Sequence, residues 1–370
     1  MNEHRKDSVS DASDEDDRRR EVTEKMTAAV MYAVGDVRIE QVDKPVPGPG
    51  EALLKVACCG VCGSDLSRMF ESGPHKLPLI CGHEFSAHIE ELGEGVTGFE
   101  IGELVSVPPM IPCFKCPPCV QGQFSLCEDY DYYGSRRHGA YAQYVAGPAH
   151  LLLKVPQDLD PRAAAMVDPA AVSLHAIYRT RLRMGDRVAV LGGGGPIGLF
   201  SVQWAKLAGA GEVVAIDVTP DKAKLALEAG ADHATSSNAE LEPLIGKGFD
   251  LVIETSGVPV VEDLAVSITA RHGQVVLIGI PHADVVIKEK TWARLMRLEI
   301  DVLGSWNSFS APYPGAEWQT TVAKMASGEL KWEFMITHEE PVERVPELIG
   351  QMARREVVSS KVLFHPNGKP

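Results

Sequence analysis

The part of the sequence that most constrains the fold is an alternation of short apolar segments and helix-forming segments from Arg187 to about Ser305. RVAVL (187–191) is typical of a buried strand, and PIGLFSVQWAKLAGA (196–210) follows it as a helix. Further strands are indicated by EVVAID, FDLVIET, GQVVLIG and EIDVLGS, with PDKAKLALEAGA and other helical segments between them. Because strand and helix alternate, this region predicts an α/β fold with a doubly wound parallel sheet.

The chain on either side of this region has a different pattern. From Thr27 to about Ala146, short strands such as ALLKVACCG and FSAHIEELG are separated by turns rich in Gly and Pro, which predicts a β-rich domain. After Ser305 the pattern becomes irregular again, and we assign this last part to the β-rich domain. For a chain of 370 residues we therefore predict two domains, one formed by 26–175 and 305–370 and the other by 176–304.

Composition limits the class of protein and its environment. The first 25 residues are nearly all polar or charged and hold no apolar segment typical of a secretion signal, so we expect a disordered tail at 1–25. No later apolar run reaches the length of a membrane span. The net charge of −15 argues against a nucleic-acid partner. We expect a cytoplasmic protein, in which the eight cysteines are thiols or metal ligands rather than disulfides.

Four cysteines in the segment CFKCPPCVQGQFSLC form the most specific motif. Cys113, Cys116 and Cys119 are separated by two residues each, and seven residues separate Cys119 from Cys127. Thiolates at this spacing can converge on one tetrahedral Zn²⁺, which predicts a structural zinc lobe at about 108–130. Four unrelated thiols, two disulfides and an iron–sulfur cluster are the alternatives.

A glycine-rich turn, VLGGGGPIGLF, follows the strand RVAVL and opens a helix. Gly193, Gly195 and Gly198 fit the pattern G-x-G-x-x-G, with Pro196 and Ile197 between the last two. These glycines allow a tight turn, close approach to a pyrophosphate and close helix packing. An acid, Asp217, ends the next strand 19 residues after Gly198. Such a carboxylate accepts hydrogen bonds from ribose hydroxyls and repels a 2′-phosphate, so we expect NAD rather than NADP; a sheet that binds no nucleotide is the alternative.

A second group of metal donors is less specific by spacing alone. GVCGSD holds Cys62, and CGHEF holds His83 and Glu84. A thiolate, an imidazole and a carboxylate suit an open, catalytic Zn²⁺. A histidine with a purely structural role in a β-rich domain is the alternative.

Taken together and in this order, GVCGSD, GHEF, the four-cysteine lobe and VLGGGGPIG resemble the zinc-containing medium-chain dehydrogenase/reductase superfamily. The resemblance extends from about Thr27 to Leu363. It implies a GroES-like β-rich catalytic domain, a Rossmann domain for the nicotinamide cofactor, and a chain end that returns to the first domain. YDYYGSRRHGAYAQYV and GSWNSFSAPYPGAEW look most like the polyol dehydrogenases of this superfamily, including those that act on galactitol 1-phosphate.

The resemblance implies two zinc ions per chain, one structural and one catalytic, together with NAD(H). Cys62 and His83 match the catalytic zinc ligands, and Glu84 matches a residue that binds or approaches the metal. The remaining ligand in polyol dehydrogenases is the acid of a Glu-Pro motif, and here that acid is Asp168, before Pro169. Because Asp is one methylene shorter than Glu, two arrangements remain open. Asp168 binds the metal directly, or it binds through a water molecule while Glu84 binds the metal directly.

The resemblance also implies roles toward the substrate. Ser64 matches the hydroxyl that relays the proton of the alcohol. Arg136 and Arg137 are candidates for binding a phosphate group, since guanidinium groups match phosphate geometry, and surface arginines are the alternative. Trp306 and Asn307 fall where relatives line the substrate cleft. The expected partners are a small polyol, a polyol phosphate or another secondary alcohol, and a further copy of the chain in a homo-oligomer, a dimer or tetramer.

The function we predict is oxidation of a secondary alcohol of a polyol or polyol phosphate to the ketone, with hydride transfer to NAD. Three alternatives remain open. The same chemistry could act on threonine, on an unphosphorylated sugar alcohol of the sorbitol or xylitol type, or on a cyclic alcohol. A zinc-free quinone or enoyl reductase would lack Cys62 and His83, and a regulator that only binds NAD would not need Ser64.

Overall fold

The computed structural model describes residues 24–369. The tail predicted for 1–25 lies outside these residues, except that Lys25 is already the first residue of a strand. The strands are β1 (Lys25–Ala33), β2 (Asp36–Asp43), β3 (Glu51–Gly60), β4 (Leu79–Ile80), β5 (Glu84–Leu92), β6 (Leu104–Val107), β7 (Met110–Ile111), β8 (Asp131–Tyr132), β9 (Tyr144–Pro148), β10 (Leu153–Lys154), β11 (Arg187–Leu191), β12 (Glu212–Ile216), β13 (His233–Thr235), β14 (Phe249–Glu254), β15 (Thr269–Leu277), β16 (Asp301–Gly304), β17 (Ile336–Glu340) and β18 (Lys361–Phe364).

The α-helices lie mainly in the second half of the chain. Several begin with proline in the first turn, where its missing N–H costs nothing because that N–H has no partner within the helix. The helices are α1 (Gly63–Ser67), α2 (Pro117–Val120), α3 (Pro161–Ala165), α4 (Val167–Tyr178), α5 (Pro196–Leu207), α6 (Pro220–Glu228), α7 (Asn238–Ile245), α8 (Pro259–Ile268), α9 (Glu289–Arg297), α10 (Ala316–Ala326) and α11 (Val345–Ala353). No helix of the part described, residues 24–369, has both the length and the apolar character needed to cross a bilayer.

The alternating region forms a six-stranded, wholly parallel sheet in the order β13-β12-β11-β14-β15-β16. β11 lies inside this sheet, and Val188, Ala189 and Val190 have no exposed surface. Strands covered on both faces are expected to read as continuous apolar runs. The prediction of a doubly wound parallel sheet is confirmed, and β11 coincides with the segment RVAVL from which it was predicted.

The first part of the chain forms mainly antiparallel sheets. A seven-stranded sheet has the order β10-β6-β5-β3-β18-β17, with β9 also paired to β3, and a three-stranded sheet has the order β2-β1-β4. β18, from the end of the chain, pairs with β3 through Leu363 opposite Gly60 and Phe364 opposite Cys59. The last strand therefore lies beside the end of β3, which Cys62 closely follows in the chain.

Helix α4 connects the two parts of the molecule. It packs against α5, and Trp204 of α5 donates a hydrogen bond from Nε1 to the carbonyl oxygen of Ala170 at 2.9 Å. α10 also packs against α4, where Glu317 Oε1 lies 2.7 Å from His175 Nδ1. The domain boundary predicted between residues 175 and 176 falls inside α4. Asp168 is the second residue of α4, and its carboxyl group lies within electrostatic range of Glu84, His83 and Lys361 of the β-rich domain.

Candidate functional site

The four cysteines of the lobe converge on one point. The sulfur atoms of Cys113, Cys116, Cys119 and Cys127 lie within 4.8 Å of one another, and none of these cysteines is in a disulfide. The sulfur atoms of Cys116 and Cys127 are 3.9 Å apart. Tetrahedral Zn²⁺ with Zn–S bonds of about 2.3 Å places its sulfur ligands about 3.8 Å apart. The donor set therefore fits a closed zinc site.

Backbone N–H groups around these cysteines favour the thiolate form that a metal requires. The N–H of Cys116 points to Sγ of Cys113 at 3.4 Å, and the N–H of Cys113 points to Sγ of Cys127 at 3.2 Å. Hydrogen bonds from the N–H of Lys115 and then of Cys116 lower the pKa of Cys113 to about 6. These bonds lower the cost of forming the thiolate at Cys113, whereas burial raises the pKa of Cys119 and of Cys127.

A second group of donors lies where β3 and β5 meet. Cys62 follows β3 and caps α1, while His83 and Glu84 stand at the start of β5. One donor atom from each of these three residues lies within 4.8 Å of the others. His83 and Glu84 are each 3% exposed, so water does not screen their charges. The carboxylate of Asp168 is not a member of this closely spaced group.

Asp65 is a residue of the site that the sequence reasoning missed. It is fully buried in α1, and its Oδ1 lies 3.4 Å from Nδ1 of His83. Its Oδ2 accepts hydrogen bonds from the N–H of Cys62 at 3.1 Å and from the hydroxyl of Tyr141 at 2.9 Å. A carboxylate next to a metal-binding imidazole orients the ring and selects its tautomer. The available signal was its position three residues after Cys62.

The groups around His83 favour a positive charge on its ring. Burial opposes the charged imidazolium, but the negative groups of Asp65 and Cys62 outweigh it and raise the pKa of His83 well above its usual range. Burial opposes the charged form of Asp65 as well, and His83 outweighs it, so the pKa of Asp65 falls to about 2. An interior that stabilises an extra positive charge at this point is suited to a cation.

Glu84 has a cationic partner within the protein. Nζ of Lys361, the first residue of β18, forms an ion pair with Oε2 of Glu84 and also donates to the carbonyl oxygen of Val61 at 3.1 Å. Both side chains are almost completely buried. Lys361 is a second residue that the sequence reasoning missed, since nothing local in KVLF marks it as part of the site.

Asp168 has no such partner. It is 6% exposed, and no Lys or Arg of the described residues forms an ion pair with it. Burial, and then repulsion from Glu84, raise the pKa of Asp168 to about 7. A divalent cation would remove this cost. The sulfur of Cys62, a ring nitrogen of His83 and a carboxylate oxygen of Glu84 lie around one point, and this is the donor chemistry of a catalytic zinc site, so the residues fit the metal.

The glycine-rich turn lies between β11 and α5, as predicted. A Cβ added to Gly198 would lie 2.2 Å from the carbonyl oxygen of Gly192 and 2.7 Å from Cα of Gly193, so the helix approaches the strand more closely than a larger residue permits. Pro196 and Ile197 begin α5, whose free N–H groups face the turn. This cradle fits the pyrophosphate of a dinucleotide.

Asp217, directly after β12, is attached to the turn. Its Oδ2 accepts a hydrogen bond from the N–H of Gly194 at 2.8 Å, and its Oδ1 accepts one from the N–H of Val218 at 2.7 Å. Nζ of Lys222 lies 3.9 Å from Oδ1. The acid and the glycine-rich turn therefore form one rigid unit next to a lysine.

The residues predicted to bind substrate lie in different surroundings. Arg137 lies over the ring of Tyr133, and its guanidinium group is 3.6 Å from a carboxylate oxygen of Glu51. Its positive charge is therefore paired with an acid of the β-rich domain.

The guanidinium of Arg136 lies over the ring of Tyr130, which is edge-on to Tyr132. The ring of Tyr132 is in turn 5.6 Å from that of His83, so the aromatic rings connect Arg136 to the donor group.

The other residues with a predicted role toward the substrate are Trp306, Asn307 and Ser64. Trp306 is 45% exposed, and Asn307 has a positive φ of 52°. Ser64 is half-buried in α1, two residues after Cys62.

A β-rich domain with two groups of metal donors, joined to a parallel sheet with a dinucleotide turn, defines a two-domain oxidoreductase. Residues 48–157 match the family described as Alcohol dehydrogenase GroES-like domain, and residues 196–327 match Zinc-binding dehydrogenase. The chain belongs to the zinc-binding medium-chain alcohol dehydrogenase family, as the sequence motifs predicted. It is an enzyme of the alcohol and polyol dehydrogenase class.

Two characterised relatives share about a third of their residues with this chain. Galactitol 1-phosphate 5-dehydrogenase of Escherichia coli is 35% identical over 348 residues, covering 92% of this chain and all of that protein. (R,R)-butanediol dehydrogenase of Bacillus subtilis is 35% identical over 292 residues, covering 72% of this chain and 83% of that protein.

Two solved structures share the fold closely. The crystal structure of galactitol-1-phosphate dehydrogenase from Escherichia coli has a TM-score of 0.87 at 34% identity and covers 92% of this chain and 100% of that one. A zinc-binding dehydrogenase from Sinorhizobium meliloti, solved with NADP bound, has a TM-score of 0.84 at 30% identity and covers 92% of this chain and 99% of that one.

Proposed function

We propose that the protein oxidises a secondary alcohol of a polyol or polyol phosphate to the ketone with NAD, at a zinc centre formed by Cys62, His83 and Asp168. The observation that carries the proposal is the buried carboxylate of Asp168, which forms no ion pair within the described residues and whose charge is opposed by burial and by Glu84, near the clustered donor atoms of Cys62, His83 and Glu84. Among the buried acids of the site, Asp65 accepts hydrogen bonds from Cys62 and Tyr141, and Glu84 is paired with Lys361. Asp168 is therefore the acid whose charge a metal ion must balance.

Each side chain of the site has a separate role in the oxidation of the alcohol. Bound zinc would act as a Lewis acid that makes the alcohol hydroxyl more acidic. Asp65 holds the ring of His83 in one orientation. Glu84 and Lys361 form an ion pair that neutralises the carboxylate of Glu84 beside the metal site. The hydroxyl of Ser64 takes up the proton that leaves the alcohol and passes it toward solvent. The glycine-rich turn holds the cofactor so that the donor carbon faces its nicotinamide.

The lobe of Cys113, Cys116, Cys119 and Cys127 binds the second zinc ion, which has a structural role. Four thiolates leave no open position for a substrate. The lobe instead fixes the loop that leads to Tyr130 and Tyr132, beside the donor group.

NAD is the cofactor that Asp217 favours. Its carboxylate lies at the end of β12, where a ribose hydroxyl is bound in this type of fold, and a negative charge there repels a 2′-phosphate. Lys222 lies 3.9 Å from the acid and weakens this repulsion. We expect kcat/KM to be at least tenfold higher with NAD than with NADP, and Asp217→Ala to reduce that ratio.

A phosphorylated polyol is the substrate class that we favour. The similarity to galactitol 1-phosphate 5-dehydrogenase covers 92% of the chain, and Arg136 lies at the end of the aromatic path from His83. The similarity to (R,R)-butanediol dehydrogenase supports a second candidate, a small unphosphorylated diol. Trp306 and Asn307 line the substrate cleft in either case, and Arg137 contributes only to its electrostatic field.

The test is a screen of NAD reduction over galactitol 1-phosphate, galactitol, sorbitol and 2,3-butanediol, with metal analysis of the same sample. We expect the phosphorylated polyol to have the highest kcat/KM, and Arg136→Gln to lower it for this substrate only. Equal kcat/KM for galactitol and its phosphate would contradict the phosphate assignment. We also propose that the Rossmann domains of two or more chains pair to form a homo-oligomer. Light scattering would measure its molecular mass.

A further inference from the structure

The connection between α4 and β11 carries a concentration of positive charge that the proposed function does not use. Four arginines lie within the nine residues from Arg179 to Arg187, in a chain whose net charge is −15. Arg187 is held by the carboxylate of Glu212, by carbonyl oxygens of the last two residues of α7 and by that of Gly248 after it. The other three are exposed. They are Arg179, Arg181 and Arg183.

A cavity of about 270 Å³ lies next to this connection. It lies at the amino-terminal ends of β11 and β14, whereas the glycine-rich turn follows the carboxyl end of β11. The parallel sheet therefore separates this cavity from the cofactor. Its wall combines cationic, amide and acidic groups, chiefly Arg181, Arg183, Arg271, Gln274, Asp186 and Asp250.

Two guanidinium groups of this wall have no acidic partner. Arg181 forms an ion pair with Asp301 at 2.6 Å. Among residues 24–369, no carboxylate forms an ion pair with Arg183 or Arg271. Both residues line the cavity, and a guanidinium group carries donors in a planar arrangement that matches a phosphate group.

The acids of the wall are held by backbone groups instead. Oδ2 of Asp186 accepts a hydrogen bond from the N–H of Arg183 at 2.7 Å, and Oδ2 of Asp250 accepts one from the N–H of Arg187 at 2.9 Å. Each carboxylate keeps a second oxygen that can accept a hydrogen bond from a hydroxyl. Oε1 of Gln274 accepts from the N–H of Arg181 at 2.5 Å, which fixes the orientation of the amide.

We propose that this cavity is a second ligand site, for a small polyhydroxylated phosphate ester. Arg183 and Arg271 bind the phosphate group, while Asp186 and Asp250 accept hydrogen bonds from the hydroxyls. The carboxylates distinguish such a ligand from a bare anion, which they repel. Bound there, the ester joins the connection after α4 to the amino-terminal halves of β14 and β15.

Calorimetric titration of the full chain with glucose 6-phosphate, in the presence of saturating NADH, tests the proposal. We expect saturable binding, and a loss of affinity of at least tenfold for glucose, which lacks the phosphate. The double variant Arg183→Gln with Arg271→Gln should bind at least tenfold more weakly. Arg179→Gln removes the same charge from the same connection but does not line the cavity, so it should bind within twofold of the unsubstituted chain.

A second measurement does not depend on the folding of a variant. Phenylglyoxal modifies exposed arginines, and we expect glucose 6-phosphate to protect Arg183 and Arg271 but not Arg179, as mapped by mass spectrometry. Turnover of the double variant should equal that of the unsubstituted enzyme. Absence of saturable binding, equal affinity in the double variant, or equal protection of Arg179 would each overturn the proposal.

Discussion

Lys361 and Glu84, 277 residues apart in the chain, form a buried ion pair beside Cys62 and His83. The pair gives Glu84 and Asp168 different surroundings. Glu84 is paired with a lysine of the last strand, whereas Asp168 forms no ion pair within residues 24–369, and we propose that a metal ion balances its charge. The return of the chain end to β3 therefore brings Lys361 to the proposed active site as well as completing the fold.

Replacing Asp168 tests which acid binds the metal. We expect Asp168→Ala to lower the affinity of the site for zinc more than 100-fold, because a direct ligand contributes more than a neighbour of a ligand. Asp168→Glu restores the usual acid of polyol dehydrogenases and should retain metal and turnover. Metal content after dialysis against a weak chelator measures both. Glu84→Gln serves as the comparison, and a larger loss of zinc from this variant than from Asp168→Ala would reverse the assignment.

Replacing Lys361 tests the ion pair. Lys361→Met leaves the carboxylate of Glu84 buried and unpaired, which costs about 3–5 kcal/mol of the free energy of unfolding. Urea denaturation measures this change. Lys154→Met, which removes an exposed lysine paired with Glu103 at 2.9 Å, is the matched control and should cost less than about 1 kcal/mol. Equal losses in the two variants would show that the buried pair does not stabilise the protein.

Asp65→Asn tests the positioning of His83. The amide keeps the shape of the side chain but removes its charge, so the ring of His83 loses the carboxylate that orients it. We expect zinc affinity at the catalytic site to fall about 10- to 100-fold, as is usual for residues that hold a ligand. Competition with a chromogenic chelator measures the affinity. Zinc in the four-cysteine lobe should stay bound, and unchanged affinity at the Cys62 site would exclude the positioning role.

Gly198→Ala tests the cofactor turn. The added methyl group meets the backbone of Gly192 and Gly193, so strand and helix must move apart. We expect NADH affinity, measured by fluorescence titration, to fall at least tenfold, with a loss of about 1–3 kcal/mol in the free energy of unfolding. Gly304→Ala is the control, because no atom lies within 4 Å of its added Cβ. Equal NADH binding by the two variants would exclude the turn from the cofactor site.

The sequence predicted what is local in the chain and missed what is distant. The four-cysteine lobe, the glycine-rich turn and β11 are short motifs whose spacing determines their geometry. Lys361 reaches Glu84 only because β18 pairs with β3, and no pattern in KVLF reveals this. Arg136 and Arg137 are adjacent in the sequence, which predicts the same role for both, yet they contact different rings, Tyr130 and Tyr133.

The most direct test of the central claim is zinc content measured with NADH production from galactitol 1-phosphate in one sample, before and after chelation. We expect two zinc ions per chain, loss of turnover when the catalytic ion is removed, and recovery of turnover when zinc is added back. In the Asp168→Ala variant, zinc should remain in the four-cysteine lobe while turnover is lost. Full turnover in a sample without zinc, or in Asp168→Ala with only the lobe occupied, would contradict the account.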